Sequence, residues 1–108
     1  MKKFQLGEFE EIVLLTVSIL ENGYGVSIRK DIEDRLSRTV SMGALQTALK
    51  RMEDKGYVKS ILGEATAERG GKRKRYFTIT AYGIKALTHT MKVRLQLWQA
   101  APGLSLEL

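Results

Sequence analysis

Two strand-like stretches, Tyr57–Leu62 and Arg75–Thr80, flank a polar connection that carries Gly63, Gly70, Gly71 and a run of cations. In Tyr76-Phe77-Thr78-Ile79 the apolar positions Phe77 and Ile79 alternate with Thr78, as a half-buried hairpin strand requires. The connection is about a dozen residues long, whereas tight hairpin loops hold about 2–5. A long, glycine-bearing, basic hairpin loop of this kind is expected to serve a function.

Helical periodicity is present on both sides of the hairpin. The only proline is Pro102, so the elements before it lack the strongest helix breaker. Residues 8–20 read as a first helix, with Glu8, Glu10 and Glu11 in the turn where the helix dipole favours acids. Its apolar set Phe9, Ile12, Val13, Leu15, Val17, Ile19 and Leu20 covers most of the circumference, the pattern of a helix buried on several sides. Glu21-Asn22-Gly23 closes it, with Gly23 or Gly25 suited to a left-handed terminal conformation. A second helix, 25–37, aligns Ile28, Ile32 and Leu36. Ser41 is the expected N-cap of a third helix, from Met42 to about Lys55, whose Leu45, Ala48, Leu49 and Met52 form one buried face before Gly56 stops it. After the hairpin, Thr80 can cap a last helix reaching to about Gln99, along which Ile84, Leu87, Met91, Leu95 and Trp98 make a long apolar stripe.

At 108 residues the chain is expected to be a single domain. Three helices, a hairpin and a long last helix make the plan mainly α with a small two-stranded β-wing: a winged helix-turn-helix over residues 1–80, followed by a C-terminal dimerisation helix and tail over 81–108. Absence of cysteine excludes disulfides and thiolate metal sites. No apolar run approaches the roughly 18 residues of a membrane span, and the early acids argue against a signal peptide, so no membrane association and a cytoplasmic location are expected.

The net charge of +6 is concentrated: Arg69, Lys72, Arg73, Lys74 and Arg75 account for most of it with no acid between them. A near-neutral body with one basic element points to a polyanion met at a defined place. With the apolar face of the third helix turned inward, Gln46, Thr47, Lys50 and Arg51 face outward, preceded by Ser41, Met42 and the small Gly43. In a DNA major groove, Gln46 and Thr47 can read base edges, and Lys50 and Arg51 can neutralise phosphates. Ser41 and the free amides of the first turn offer a further phosphate contact, and Gly43 permits close backbone approach. A solvated polar face would show the same residues. The cationic hairpin Arg69, Gly70, Gly71, Lys72, Arg73, Lys74, Arg75 moves the balance towards double-stranded DNA, since such a wing grips phosphates or enters a minor groove.

The run Ser41-Met42-Gly43-Ala44-Leu45-Gln46-Thr47-Ala48-Leu49-Lys50-Arg51-Met52-Glu53-Asp54-Lys55-Gly56-Tyr57-Val58 resembles the recognition helix of the PadR family, S-x-G-x-L-Y-x-x-L-x-R-L-E-x-x-G-L-[IV]. Gly70-Gly71-Lys72-Arg73-Lys74-Arg75-Tyr76-Phe77-Thr78-Ile79-Thr80-Ala81-Tyr82-Gly83 is similar to that family's G-G-R-x-[RK]-[RK]-Y-Y-x-[LI]-T-x-x-G, and Gly23-Tyr24-Gly25 matches its entry into the second helix. The likeness spans roughly residues 8–90 and rests on three motifs in order. It implies a bacterial or archaeal transcriptional regulator, usually a repressor, that binds a pseudo-palindromic operator as a homodimer through its terminal helices. Gln46 stands where members commonly carry Tyr, which puts the operator sequence in question but leaves DNA binding intact. With one terminal helix, the chain is expected to belong to the short members of the family.

A dimer also has a physical motive. The first helix is too apolar for one flat contact and the last exposes its stripe, so a second copy would bury Phe9, Ile12, Leu87, Met91, Leu95 and Trp98. Phe9 and Ile12 are expected to serve the monomer core in part. Some short members of the family sense flat aromatic ligands at the dimer interface, so the resemblance implies a small aromatic effector against Trp98; a plain packing anchor is the preferred reading. No enzyme and no cofactor are expected, because His89 is the lone histidine and there is no nucleophile–base pair, phosphate loop or metal spacing. The rival is a winged helix used only as a protein-interaction module, which would have no need of five acid-free cations.

Overall fold

A computed structural model describes residues 4–64 and 73–104. Its elements run α1 (Glu8–Ile19), β1 (Gly23–Tyr24), α2 (Gly25–Leu36), α3 (Met42–Asp54), β2 (Val58–Leu62), β3 (Arg75–Ile79) and α4 (Ala81–Ala100). The strands form an antiparallel sheet in the order β1-β3-β2. The winged helix-turn-helix is therefore present, with a long C-terminal helix. Its sheet has a third strand beyond the two expected.

That extra strand corrects the reading of the first turn. The left-handed residue is Asn22, at φ 55°, and neither Gly23 nor Gly25 has positive φ. Asn tolerates this region because its short amide can bond locally. Gly23 is free to extend and pair with Phe77, and Tyr24 pairs with Tyr76. Its missing side chain matters for packing: a Cβ there would lie 3.2 Å from both Ile28 Cγ1 and Leu20 Cβ.

The core gathers Val13, Leu14 and Val17 of α1, Ile28 and Ile32 of α2, Leu45, Leu49 and Met52 of α3, and Val58, Phe77 and Ala86. Helical spacing selects Val13, Val17, Ile28, Ile32, Leu45, Leu49 and Met52, whereas Leu14 and Ala86 lie outside the expected apolar sets, and Leu36, expected on the α2 stripe, is exposed where that helix ends. The caps close as expected: Ser41 Oγ accepts from the Ala44 amide at 3.1 Å, and Thr80 Oγ1 from the Gly83 amide at 3.0 Å. Gly56, at φ 84°, ends the turn after α3. Between α2 and α3, Ser37 takes a left-handed conformation at φ 50°. Glu33 Oε2 then accepts from the Val40 amide at 2.8 Å, which fixes the turn that sets α3 against α2.

A chain segment before α1 is strapped across the opposite end of α3. Lys55 Nζ donates to the Gln5 carbonyl at 3.0 Å and to Glu10 Oε1 at 3.2 Å, while Phe4 packs its ring 5.3 Å from Tyr82 and 5.5 Å from His89. His89 is thus a surface residue whose ring faces Phe4. Among the described residues, no helix is long and apolar enough to cross a membrane.

Candidate nucleic-acid interface

The outward side of α3 faces the base of the hairpin across an open groove of about 660 Å3. Gln46, Lys50 and Glu53 form its α3 wall, Arg73, Lys74 and Arg75 its wing wall, and Tyr24, Gly25 and Val26 its end at the start of α2. Residues from three separate stretches of the sequence therefore share one surface. Gly43, Thr47 and Arg51 lie further round α3 and line a second depression with Glu8, Phe9 and Glu10 of α1. Ser41, Gly43, Gln46, Thr47, Lys50 and Arg51 are all exposed, so the polar side of α3 is unobstructed along its length.

The wing cations at the groove each have a local partner. Arg73 Nε donates to the Gly63 carbonyl at 2.7 Å, beside the Gly63 amide that donates to the Lys74 carbonyl at 2.7 Å. This closes the hairpin where β2 leaves the sheet. Lys74 Nζ sits 4.1 Å from the centre of the Tyr24 ring, which in turn meets Tyr76 edge-on at 6.1 Å. Arg75 Nη1 donates to Ser60 Oγ at 2.9 Å. None of these cations is ion-paired to a carboxylate among the described residues. These contacts hold the three cations in place at the groove. Arg69, Gly70, Gly71 and Lys72 lie outside the described residues.

Lys50 differs. Its ammonium meets Asp54 Oδ1 at 2.8 Å, one turn along the exposed face of α3. The hydrogen bond to Asp54, and then that carboxylate's charge, raise the Lys50 pKa above its ordinary value. An exposed i,i+4 pair is weak, so a phosphate can compete for the lysine.

Tyr24 and Glu53 line the groove but escape a reading of the sequence, as does Ser60, which bonds to Glu53 from β2. Glu53 shares a face with Gln46 and Lys50 by helical spacing, and that signal is present in the chain. The contribution of Tyr24 depends on β1, a two-residue strand with no period to detect.

The second expected surface is divided. Phe9 and Ile12 are half-buried against the chain's own core, as is Leu87. The exposed apolar residues are Leu15 and Ile19 of α1, with Ile84, Met91, Val93, Leu97 and Trp98 of α4. Leu15, Leu87 and Met91 line a shallow depression of about 300 Å3 between the two helices, with Glu11 and Lys92 at its edge. Leu95 is half-buried. Among the described residues there is no group of carboxylates and histidines arranged to hold a metal.

Residues 13–89 match the family model described as the transcriptional regulator PadR-like family. No curated protein sequence matches the chain. Among solved structures, a transcriptional regulator from Clostridium thermocellum is similar at 28% identity, over 83% of this chain and 85% of that one, with a TM-score of 0.70. The complex structure of RosR-S1 of H. salinarum is similar at 26% identity, over 89% of this chain and 79% of that one, with a TM-score of 0.69. A PadR-like transcription factor from Bacteroides fragilis shares the fold at 20% identity, over 82% of each chain, with a TM-score of 0.72.

Proposed function

The chain belongs to the PadR-like family of transcriptional regulators, hence to the DNA-binding regulators, and we propose that it acts as a homodimeric repressor on a pseudo-palindromic operator. In this reading residues 1–80 bind DNA and 81–108 dimerise, in the cytoplasm of a bacterium or archaeon. Each α3 enters a major groove, where Gln46 and Thr47 meet base edges. Lys50, Arg51, Ser41 and the backbone at Gly43 meet phosphates. The wing, from Arg69 through Gly70, Gly71, Lys72, Arg73 and Lys74 to Arg75, grips the flanking backbone or minor groove.

The observation that carries the reading is the shared groove: Gln46 and Lys50 of α3 open onto the same space as Arg73, Lys74 and Arg75. A duplex in that groove would meet base-reading and phosphate-neutralising groups at once. The dimer is supported by the exposed apolar residues of α1 and α4, Leu15, Ile19, Ile84, Met91 and Trp98. A second copy would cover them together with Leu87 and Leu95. A flat aromatic effector would lie against Trp98 in that interface.

Selection of duplexes from a random pool tests the reading. Two symmetric half-sites about one helical turn apart are expected, with affinity falling steeply as salt rises. Replacing Lys72, Arg73 and Lys74 by Gln should flatten the log–log salt slope by up to about 0.9 for each phosphate no longer neutralised. Failure to enrich any duplex, or affinity indifferent to salt, overturns the reading.

A further inference from the structure

Glu53 brings a carboxylate into a groove whose other charged residues, Lys50, Arg73, Lys74 and Arg75, are all cations, an unfavourable group to present to a polyanion. It is half-buried, and its Oε2 accepts a hydrogen bond from the hydroxyl of Ser60 on β2. The same hydroxyl oxygen accepts from Arg75 Nη1 on β3 at 2.9 Å. One side chain therefore joins α3 to both strands of the wing. A serine hydroxyl has one proton and two lone pairs. Here the proton serves the carboxylate and a lone pair serves the guanidinium, so both hydrogen bonds are charge-assisted.

The strand register explains how the three groups meet. Ser60 lies opposite Phe77, and Leu62 opposite Arg75. Ser60, Leu62, Phe77 and Arg75 consequently share one face of the ribbon, the face on which Phe77 is buried in the core. Arg75 reaches diagonally back to Ser60, which brings its guanidinium towards α3 and away from the hairpin tip. Lys50, on the same helix wall as Glu53, opens onto the same groove.

We propose that Ser60 is a positioning residue: by bridging Glu53 and Arg75 it aims the Arg75 guanidinium at phosphate beside Lys50 and holds the wing at a set distance from α3. This rests on the DNA reading of the groove. The bridge lets the recognition helix and the wing engage one duplex in register, and it ties the Glu53 carboxylate to β2 in place of a direct pairing with Arg75. Without the hydroxyl, Arg75 and Glu53 are free to collapse into a direct ion pair, which withdraws the cation from the groove.

Binding of the full chain to a duplex selected by the wild type, measured across a salt series, tests this with Ser60→Ala, Ser60→Thr, Arg75→Gln and the double variant Ser60→Ala/Arg75→Gln. Ser60→Ala should weaken binding about five- to tenfold and lower the salt slope by about 0.9, the signature of one phosphate fewer neutralised. Ser60→Thr, which keeps the hydroxyl, should restore both. The double variant should bind no more weakly than Arg75→Gln, because the serine acts through the arginine. Wild-type affinity and slope in Ser60→Ala would overturn the positioning role while leaving the DNA reading intact. Additive losses in the double variant would overturn it as well. A wild-type chain that selects no duplex would instead overturn the DNA reading, and the positioning role with it.

Discussion

Gly83, in the first turn of α4, packs so closely onto the backbone of Tyr57 that a Cβ at position 83 would lie 2.2 Å from the Tyr57 carbonyl oxygen. The same carbonyl accepts a hydrogen bond from the Thr80 amide at 3.0 Å, and the Thr80 hydroxyl donates to the neighbouring Gly56 carbonyl at 2.6 Å. The start of α4 is thereby fastened to the point where α3 gives way to β2. This contact joins the part of the molecule assigned to DNA with the helix assigned to dimerisation.

Gly83→Ala should therefore destabilise the protein, although alanine is the better helix former by about 1 kcal/mol. A backbone oxygen cannot move aside as a flexible side chain can, and overpacking costs about 1–3 kcal/mol. A lowered midpoint in urea unfolding is expected. An unchanged or raised midpoint would show that α4 shifts without penalty.

The apolar surfaces of α1 and α4 predict different outcomes for neighbouring residues. Leu15 and Met91 are exposed and share a depression, so Leu15→Glu or Met91→Glu should yield a folded monomer in sedimentation. Phe9 packs against the core beneath the Arg38 guanidinium, 5.6 Å from its ring centre. Phe9→Ala should lower the melting temperature by the mechanism of a core truncation. If the wild type is a dimer and the glutamate variants sediment with it, the proposed interface lies elsewhere; a monomeric wild type overturns the proposed dimer. Trp98→Ala belongs to the same series, and an unchanged dimer there would remove Trp98 from the interface.

Asp54→Asn should tighten DNA binding by about threefold at low salt, since it frees Lys50 and removes a negative charge near the groove. Fold stability should hardly change, because both partners of this pair are exposed. The raised Lys50 pKa belongs to a group that keeps its proton to higher pH in the folded state. The attraction to Asp54 is thus fully present below the ordinary lysine value of 10.5 and fades as pH rises through the raised one. In the variant, the Lys50 titration followed by NMR should move down towards that ordinary value. Weaker binding by Asp54→Asn would show that Asp54 holds Lys50 in its working position.

Gln46→Ala should relax base preference at one position of each half-site, with about 1–3 kcal/mol of discrimination removed there. The salt slope should stay as it is, because no charge is removed. A uniform weakening over all sequences, with no change in preference, would assign Gln46 to the backbone.

Ile28 and Ile32 of α2, the inward positions of α3, the caps Ser41 and Thr80, the stop at Gly56 and the cationic hairpin are all legible along the chain, while Leu36, on the same α2 stripe, is exposed. Each depends on interactions within a few residues: a helical period, a side chain reaching an amide three positions on, a glycine at positive φ. The PadR-like motifs carry the same local information.

Contacts between segments distant in sequence lie beyond that reach. Local turn chemistry favours Gly23 or Gly25 as the left-handed residue, because the pairing of Gly23 with Phe77 gives no signal in a two-residue strand. Gly83 reads as one position of a motif, but its reason is the Tyr57 carbonyl lying against it. The hairpin cations read as an undivided patch. Folding separates them into Arg73 closing the loop, Lys74 over Tyr24 and Arg75 turned back to Ser60. Helical periods and caps are short-range and can be written into a stretch of residues. The distance of closest approach between two elements depends on how the whole core packs, and it is this packing that joins Glu53, Ser60 and Arg75.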